Sequence, residues 1–146
     1  MNPTALPKHS VSVAGIVIDP AGRVLTIQRA DNGHWEPPGG VLELNETLEE
    51  GVRREVFEET GVTVDVERLT GVYQNLAKGV VALVYRCRAV EGTAHPTAEA
   101  RAVRWMDREQ VADAMTEVFS VRVFDAFDER AHSRTHDGIR LCYSGH

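Results

Sequence analysis

Short runs rich in β-branched residues alternate along the chain with one long amphipathic stretch. Residues 11–18 and 24–28 read as strands. Asp19-Pro20-Ala21-Gly22 between them sets Pro and Gly where a turn wants them, so the pair is expected to form a hairpin. Residues 29–44 read as a loop, because Pro37-Pro38-Gly39-Gly40 stops both a helix and a central strand. Residues 47–59 carry the clearest helix signal. Thr47 and Glu50 have capping-box spacing, and Gly61 supplies a stop. Further strands are predicted over 62–69, 71–75, 80–90 and 102–106. Asp107 is placed to cap a helix running to about Met115, and 118–129 reads as a second or continued helix. Residues 135–143 read as a turn at Asp137-Gly138 followed by a short extended end. Strands, one helix, more strands and then helices fit an α/β fold with a mixed sheet flanked by helices. There is no GxGxxG and no GxxxxGK[ST], so dinucleotide-binding and P-loop folds are not expected.

The helix over 47–59 is unusual in where its charges fall. Leu48, Val52 and Val56 form an apolar line that should face the sheet. With Val52 at zero and about 100° per residue, Glu59 falls at about −20°, Glu55 at about −60° and Glu58 at about −120°. Glu55 and Glu59 thus lie beside the apolar stripe. Like charges four residues apart cost ~0.2–0.5 kcal/mol even in water. Partial burial raises that cost, and the last turn is the unfavourable end of the helix dipole for anions. A hard divalent cation held by these carboxylates removes all three objections. The plain alternative is a solvated acidic face paired with Arg53 and Arg54.

Composition narrows the partners. The 146 residues are 42% hydrophobic, enough for a core, and are expected to form a single domain over 1–146. Residues 1–10 lack the apolar core of a secretory signal, and no run reaches the ~18 apolar residues of a membrane helix. A cytoplasmic protein that contacts no membrane is the expectation. Sixteen basic against 22 acidic side chains leave a net charge of −6, which repels a nucleic-acid polymer. A small phosphorylated ligand that carries its own metal is not excluded. Cys87 and Cys142 lie far apart without a CxxC pattern and read as reduced core thiols. His34, His95, His132 and His136 show no HxxxH-type spacing on a predicted element, so no zinc is expected.

The wider spacing around the helix is specific. Gly40, Glu46, Arg54, Glu55, Val56, Glu58, Glu59, Gly61 and Val62 fill every fixed position of G-x5-E-x7-R-E-U-x-E-E-x-G-U, where U is a bulky aliphatic. This window resembles the box of the Nudix hydrolase family, and Pro38-Gly39-Gly40 before it extends the likeness. The resemblance implies an α/β/α sandwich with a mixed, curved sheet. It implies Mg²⁺- or Mn²⁺-dependent hydrolysis of a diphosphate bond in a nucleoside di- or triphosphate derivative. Glu55, Glu58 and Glu59 would be metal ligands, joined by the carbonyl of Gly39. Arg54 would orient the glutamates through a pair with Glu46. The general base would be either Glu55 or Glu99, which stands six residues before Trp105 at a spacing several family members use.

Outside the box the sequence says less. Trp35 and Tyr73 are candidates to stack on a base or sugar, against the alternative of packing. Arg134-Thr135-His136-Asp137-Gly138 would be a turn, a homodimer contact or part of the substrate lip. No proline lies between Pro38 and Pro96, where many ADP-ribose hydrolases of the family carry one. The NADH-hydrolase signature SQPWPFPxS is also absent. Nucleotide-sanitising and dinucleoside polyphosphate hydrolases remain. The alternative from another class is a non-catalytic nucleotide sensor on the same fold, which would have no need of a full set of box glutamates.

Overall fold

The computed structural model describes residues 5–142. Its strands are β1 (Ser10–Val17), β2 (Val24–Arg29), β3 (Trp35–Glu36), β4 (Gly39–Val41), β5 (Thr63–Asn75), β6 (Val80–Glu91), β7 (Ala100–Met106), β8 (His132–His136) and β9 (Leu141–Cys142). Its helices are α1 (Leu48–Thr60), α2 (Arg108–Ala114) and α3 (Glu117–Asp125). A mixed six-stranded sheet has the order β4-β1-β6-β5-β8-β9, and a three-stranded antiparallel sheet has the order β3-β2-β7. The pairs β1–β6 and β5–β8 are parallel; the other pairs of the larger sheet are antiparallel.

β1 shows why the sequence folds this way. Val13 and Val17 face α1 and pack with Val52, Val56 and Cys87. Ala14 and Ile16 face the other way and pack with Val111 of α2 and Val123 of α3. A strand buried on both faces reads as a continuous apolar run. The two clusters are the two layers of the sandwich, with α1 on one face and α2 and α3 on the other. Gly15 lets α1 come close, since a Cβ there would stand 2.8 Å from Val56 Cγ2.

Three readings of the sequence change. The expected hairpin is reduced to one bridge, Ile18 to Val24, after which the strands part into different sheets. The turn itself forms, with the Gly22 N–H donating to the Asp19 carbonyl at 2.9 Å. β1 cannot continue beside β2 because β4 and β6 occupy its two edges. The expected loop over 29–44 contains β3 and β4, edge strands of two and three residues that are too short to show alternation. The expected strands over 62–69 and 71–75 are one strand, β5, with register shifts at Thr63/Val64, Val66/Arg68 and Leu69/Gly71. Each bulge bends the strand and resets which face its side chains take. Hence Leu69 packs toward α1 while Tyr73, four residues on, packs toward α3.

Toward the carboxyl end, α3 is shorter than expected, and the 132–136 segment is a regular strand beside β5. Tyr143 of the expected extended end lies outside the described residues. Cys87 is buried, which pushes its thiol up to about 12, whereas Cys142 is exposed rather than in the core; both are free. Among the described residues no helix is long and apolar enough to cross a membrane.

Candidate active site

α1 sets the site. Thr47 accepts from the Glu50 N–H while the Glu50 carboxylate accepts from the Thr47 N–H, a reciprocal cap that fixes the first turn. Gly61 closes the other end with φ 79°, a left-handed position that suits glycine. Between these caps the charges fall as the helical angles require. Glu55 and Glu59 are only 8% and 6% exposed, while the Glu58 side chain is 49% exposed.

The loop before the helix closes over the two buried carboxylates. The Gly39 N–H donates to Glu59 Oε1 at 2.6 Å. Gly40 lies against Glu55, and a Cβ there would stand 2.7 Å from its carboxylate carbon. A side chain at 40 would therefore have to displace the Glu55 carboxylate. The sequence reading assigned the Gly39 carbonyl to metal; the contact seen here runs through its N–H.

Arg54 ties the corner together. Its Nε and one terminal nitrogen hold both oxygens of Glu46, at 3.0 and 2.7 Å. The other terminal nitrogen reaches Glu55 at 2.8 Å and Glu58 at 3.3 Å. This bidentate grip holds the Glu46 carboxyl down to about 2. Arg54 also donates to the Val41 carbonyl at 3.2 Å, which fastens the loop to the helix.

Glu99 arrives from the residue before β7. One carboxylate oxygen each from Glu55, Glu59 and Glu99 lies within 4.8 Å of the others. Burial pushes the Glu59 carboxyl up to about 8, with Glu55, Glu99 and Glu36 adding repulsion against the single Gly39 N–H. Glu55 is also raised, first by burial and then relieved by Arg54. Three converging carboxylates, two of them buried, are costly unless something positive stands among them. An all-oxygen set of this kind suits a hard divalent cation. Glu58 stands outside the trio, on the exposed side of Arg54.

A cleft of about 590 Å³ opens from Gly39 and Gly40 and runs across the sheet. Its charged lining is Arg29, Lys78 and Arg122 against Asp31 and Glu36. Arg29 bridges Asp31 and Glu36 at 2.6 and 3.1 Å. Tyr73, a candidate to stack on a base or sugar, is a wall of this cleft. It is fully buried, its hydroxyl donates to Asp125 at 2.7 Å, and the Arg122 guanidinium lies 5.0 Å from its ring centre. Trp35 is half-buried, packs on the core and carries Arg104 over its ring at 5.4 Å. It does not line the cleft.

Sequence reasoning missed Arg29, Lys78, Phe119 and Arg122, all of which line the cleft, and named His136 only within the 134–138 segment. The one available signal was Arg122, a charge among Phe119, Val121, Val123 and Phe124 on an apolar helix. The 134–138 segment divides by side. Arg134 grips both oxygens of Asp125 at 2.8 Å, while His136 and Gly138 line the cleft. Asp125, Asp128 and His132 also cluster, but Arg134 and Tyr73 already occupy Asp125, and His132 is hydrogen-bonded to Asp128 at 2.8 Å.

A family model described as the NUDIX domain matches residues 8–127. The chain is 52% identical over 143 residues to a MutT-like protein of Streptomyces ambofaciens, covering 97% of this chain and 93% of that one. It is 44% identical over 69 residues to an ADP-ribose pyrophosphatase of Methanocaldococcus jannaschii, covering 45% of this chain and 40% of that one. A NUDIX hydrolase from Nitrosomonas europaea superposes with a TM-score of 0.76 at 23% identity, covering 90% of this chain and 82% of that one, which is a likeness of fold. The resemblance first carried by the window from Gly40 to Val62 thus extends over most of the sequence and over the architecture, and the chain belongs to the Nudix family of pyrophosphohydrolases.

Proposed function

We propose that this chain hydrolyses a diphosphate bond in a nucleoside di- or triphosphate derivative and requires Mg²⁺ or Mn²⁺. The observation that carries the reading is the meeting of the Glu55, Glu59 and Glu99 carboxylates beside the Gly39–Gly40 end of a cleft of nucleotide size. Glu55, Glu58, Glu59 and the Gly39 carbonyl would hold the cation, and Glu99 faces the same point. Bound there, the cation supplies neutralisation of the phosphate oxygens and acidification of water. The protein does the rest. Arg54 holds Glu55 in place. Glu99 or Glu55 takes the proton of the attacking water, and Arg29 and Lys78 draw in the anionic ligand.

Phosphate and pyrophosphate release over a nucleotide panel with Mg²⁺ tests this. Cleavage of at least one nucleoside di- or triphosphate derivative is expected. Tight binding of a nucleotide with no turnover of any member would favour a sensor instead. ADP-ribose belongs in the panel, because the Methanocaldococcus jannaschii relative bears that name. The base is assigned by comparing Glu99→Gln with Glu55→Gln across pH at saturating substrate and Mg²⁺. Loss of Glu99 is expected to lower kcat and abolish the acidic limb with KM little changed. A wild-type profile in Glu99→Gln would leave the role to Glu55.

A further inference from the structure

The cleft has a second end. Its lining passes from Gly39 on β4, through Ala14 on β1, Ala82 on β6 and Tyr73 on β5, to His136 on β8. Those are four strand spacings of about 4.8 Å, on the order of 19 Å from the carboxylate corner.

At this far end two buried cationic or polar groups meet without a match. Arg122 is 9% exposed and His136 is 3% exposed. The Arg122 Nε donates to the Val118 carbonyl at 3.1 Å, and its ring neighbours, Tyr73 and Phe119, flank the guanidinium at 5.0 Å. Among the described residues no carboxylate comes within 4.0 Å of it. The His136 Nδ1 accepts from the Gly138 N–H at 3.0 Å. A neutral imidazole that accepts at Nδ1 carries its proton on Nε2. That Nε2 lies 3.3 Å from an Arg122 terminal nitrogen, which is always a donor. Two N–H donors therefore face each other where both residues line the cleft, and among the described residues no acceptor stands between them. Burial with the neighbouring Arg122 holds the His136 pKa below the usual histidine range, consistent with the neutral ring.

We propose that Arg122 and His136 read the nucleobase, donating together to a ring carbonyl oxygen, so that the site selects keto bases over amino bases. The proposal rests on the nucleotide reading above and adds the base class to it. A single oxygen placed between the two donors satisfies both. An exocyclic amino group, as on adenine, would bring a third donor and leave all of them unpaired. The walls there are Phe119, Tyr73 and Val118, which suit a flat ring more than a phosphate. Glu36 also lines the cleft, paired with Arg29 at 3.1 Å.

Binding of nucleoside monophosphates to the metal-free chain tests this without turnover. The affinities are measured by calorimetry, with the His136 ring followed by ¹⁵N NMR. Guanosine and inosine 5′-monophosphate are expected to bind at least ~10-fold more tightly than adenosine 5′-monophosphate. The His136 Nε2–H signal should move with the first two and stay in place with inorganic phosphate. Arg122→Gln and, independently of its folding, His136→Phe should each bring the guanosine and adenosine affinities to near equality. Equal affinities in the wild type, or a preference that survives both variants, overturns the base-reading role while leaving the nucleotide reading intact. A His136 response to inorganic phosphate reassigns the donors to phosphate and also overturns it. Failure of every nucleotide to bind overturns the base-reading role as well, and the nucleotide reading is judged separately by turnover with Mg²⁺.

Discussion

The two ends of the cleft are built in opposite ways. The carboxylate corner draws nearly everything from one window, Gly39 to Glu59, and borrows only Glu99. The far end is assembled from Tyr73 on β5, Phe119 and Arg122 on α3 and His136 on β8, brought together by strand order. The first is rigid chemistry fixed by local spacing. The second changes with any element that borders the cleft. A family can therefore keep one reaction while its members differ in substrate, and the two ends should fail in different ways when altered.

The largest effect belongs to the corner. Glu59→Gln should lower kcat by at least ~100-fold, since a buried carboxylate of the trio is lost from the point where charge must be held. Glu58→Gln should also lower kcat, but by less, because Glu58 is exposed and stands outside the trio. Steady-state kinetics of the two variants side by side checks the ranking; equal losses would mean that exposure does not weaken the part Glu58 plays at the cation.

Next comes Arg54→Ala, which should cost ~10–100-fold in activity with a smaller loss of metal affinity. Arg54 hydrogen-bonds to three glutamates without entering the trio itself, so kinetics and metal titration should separate. A loss of metal affinity as large as the loss of activity would make it part of the binding shell.

A third effect is on stability. In the metal-free chain burial raises Glu59 from 4.5 to about 8. An acid raised on folding contributes stability that is fully present below pH 4.5 and lost as pH rises through about 8. The chelated protein should therefore melt at a lower temperature at pH 9 than at pH 6, and Glu59→Gln should flatten that difference. Mg²⁺ at ~100 times its Kd should restore ~2.7 kcal/mol. Thermal melts with and without chelator read all of this, and a pH-independent melt in the chelated wild type would contradict the assignment.

The smallest effect lies at the far end. Tyr73→Phe removes one hydrogen bond to Asp125, which Arg134 still holds, and should cost ~1–2 kcal/mol in denaturant unfolding with no change in KM. A raised KM would return Tyr73 to direct contact with the ligand.

What could be read in the sequence follows the same division. Helical spacing alone set Glu55 and Glu59 inward and Glu58 outward, because the apolar line of Leu48, Val52 and Val56 fixes the rotation of α1. The Arg54–Glu46 pair and the capping box were equally local. Strand partners were not. The turn at Asp19–Gly22 forms as expected, yet nothing within those residues says that β4 and β6 will claim both edges of β1. The bulges of β5 shift its alternation, so period-two counting from Val64 could not tell which face Tyr73 takes. For the same reason Arg122 and His136, 14 residues apart and on different elements, carried no joint signal.

The most direct test of the central claim is hydrolysis of the preferred nucleotide by the purified chain, first freed of metal with EDTA and then titrated with Mg²⁺, run in parallel for wild type and Glu55→Gln/Glu59→Gln. The account predicts no turnover in EDTA, full recovery with Mg²⁺ in the wild type, cleavage within the diphosphate bond, and no recovery in the double variant. Undiminished turnover in EDTA, or wild-type recovery in the double variant, would contradict it.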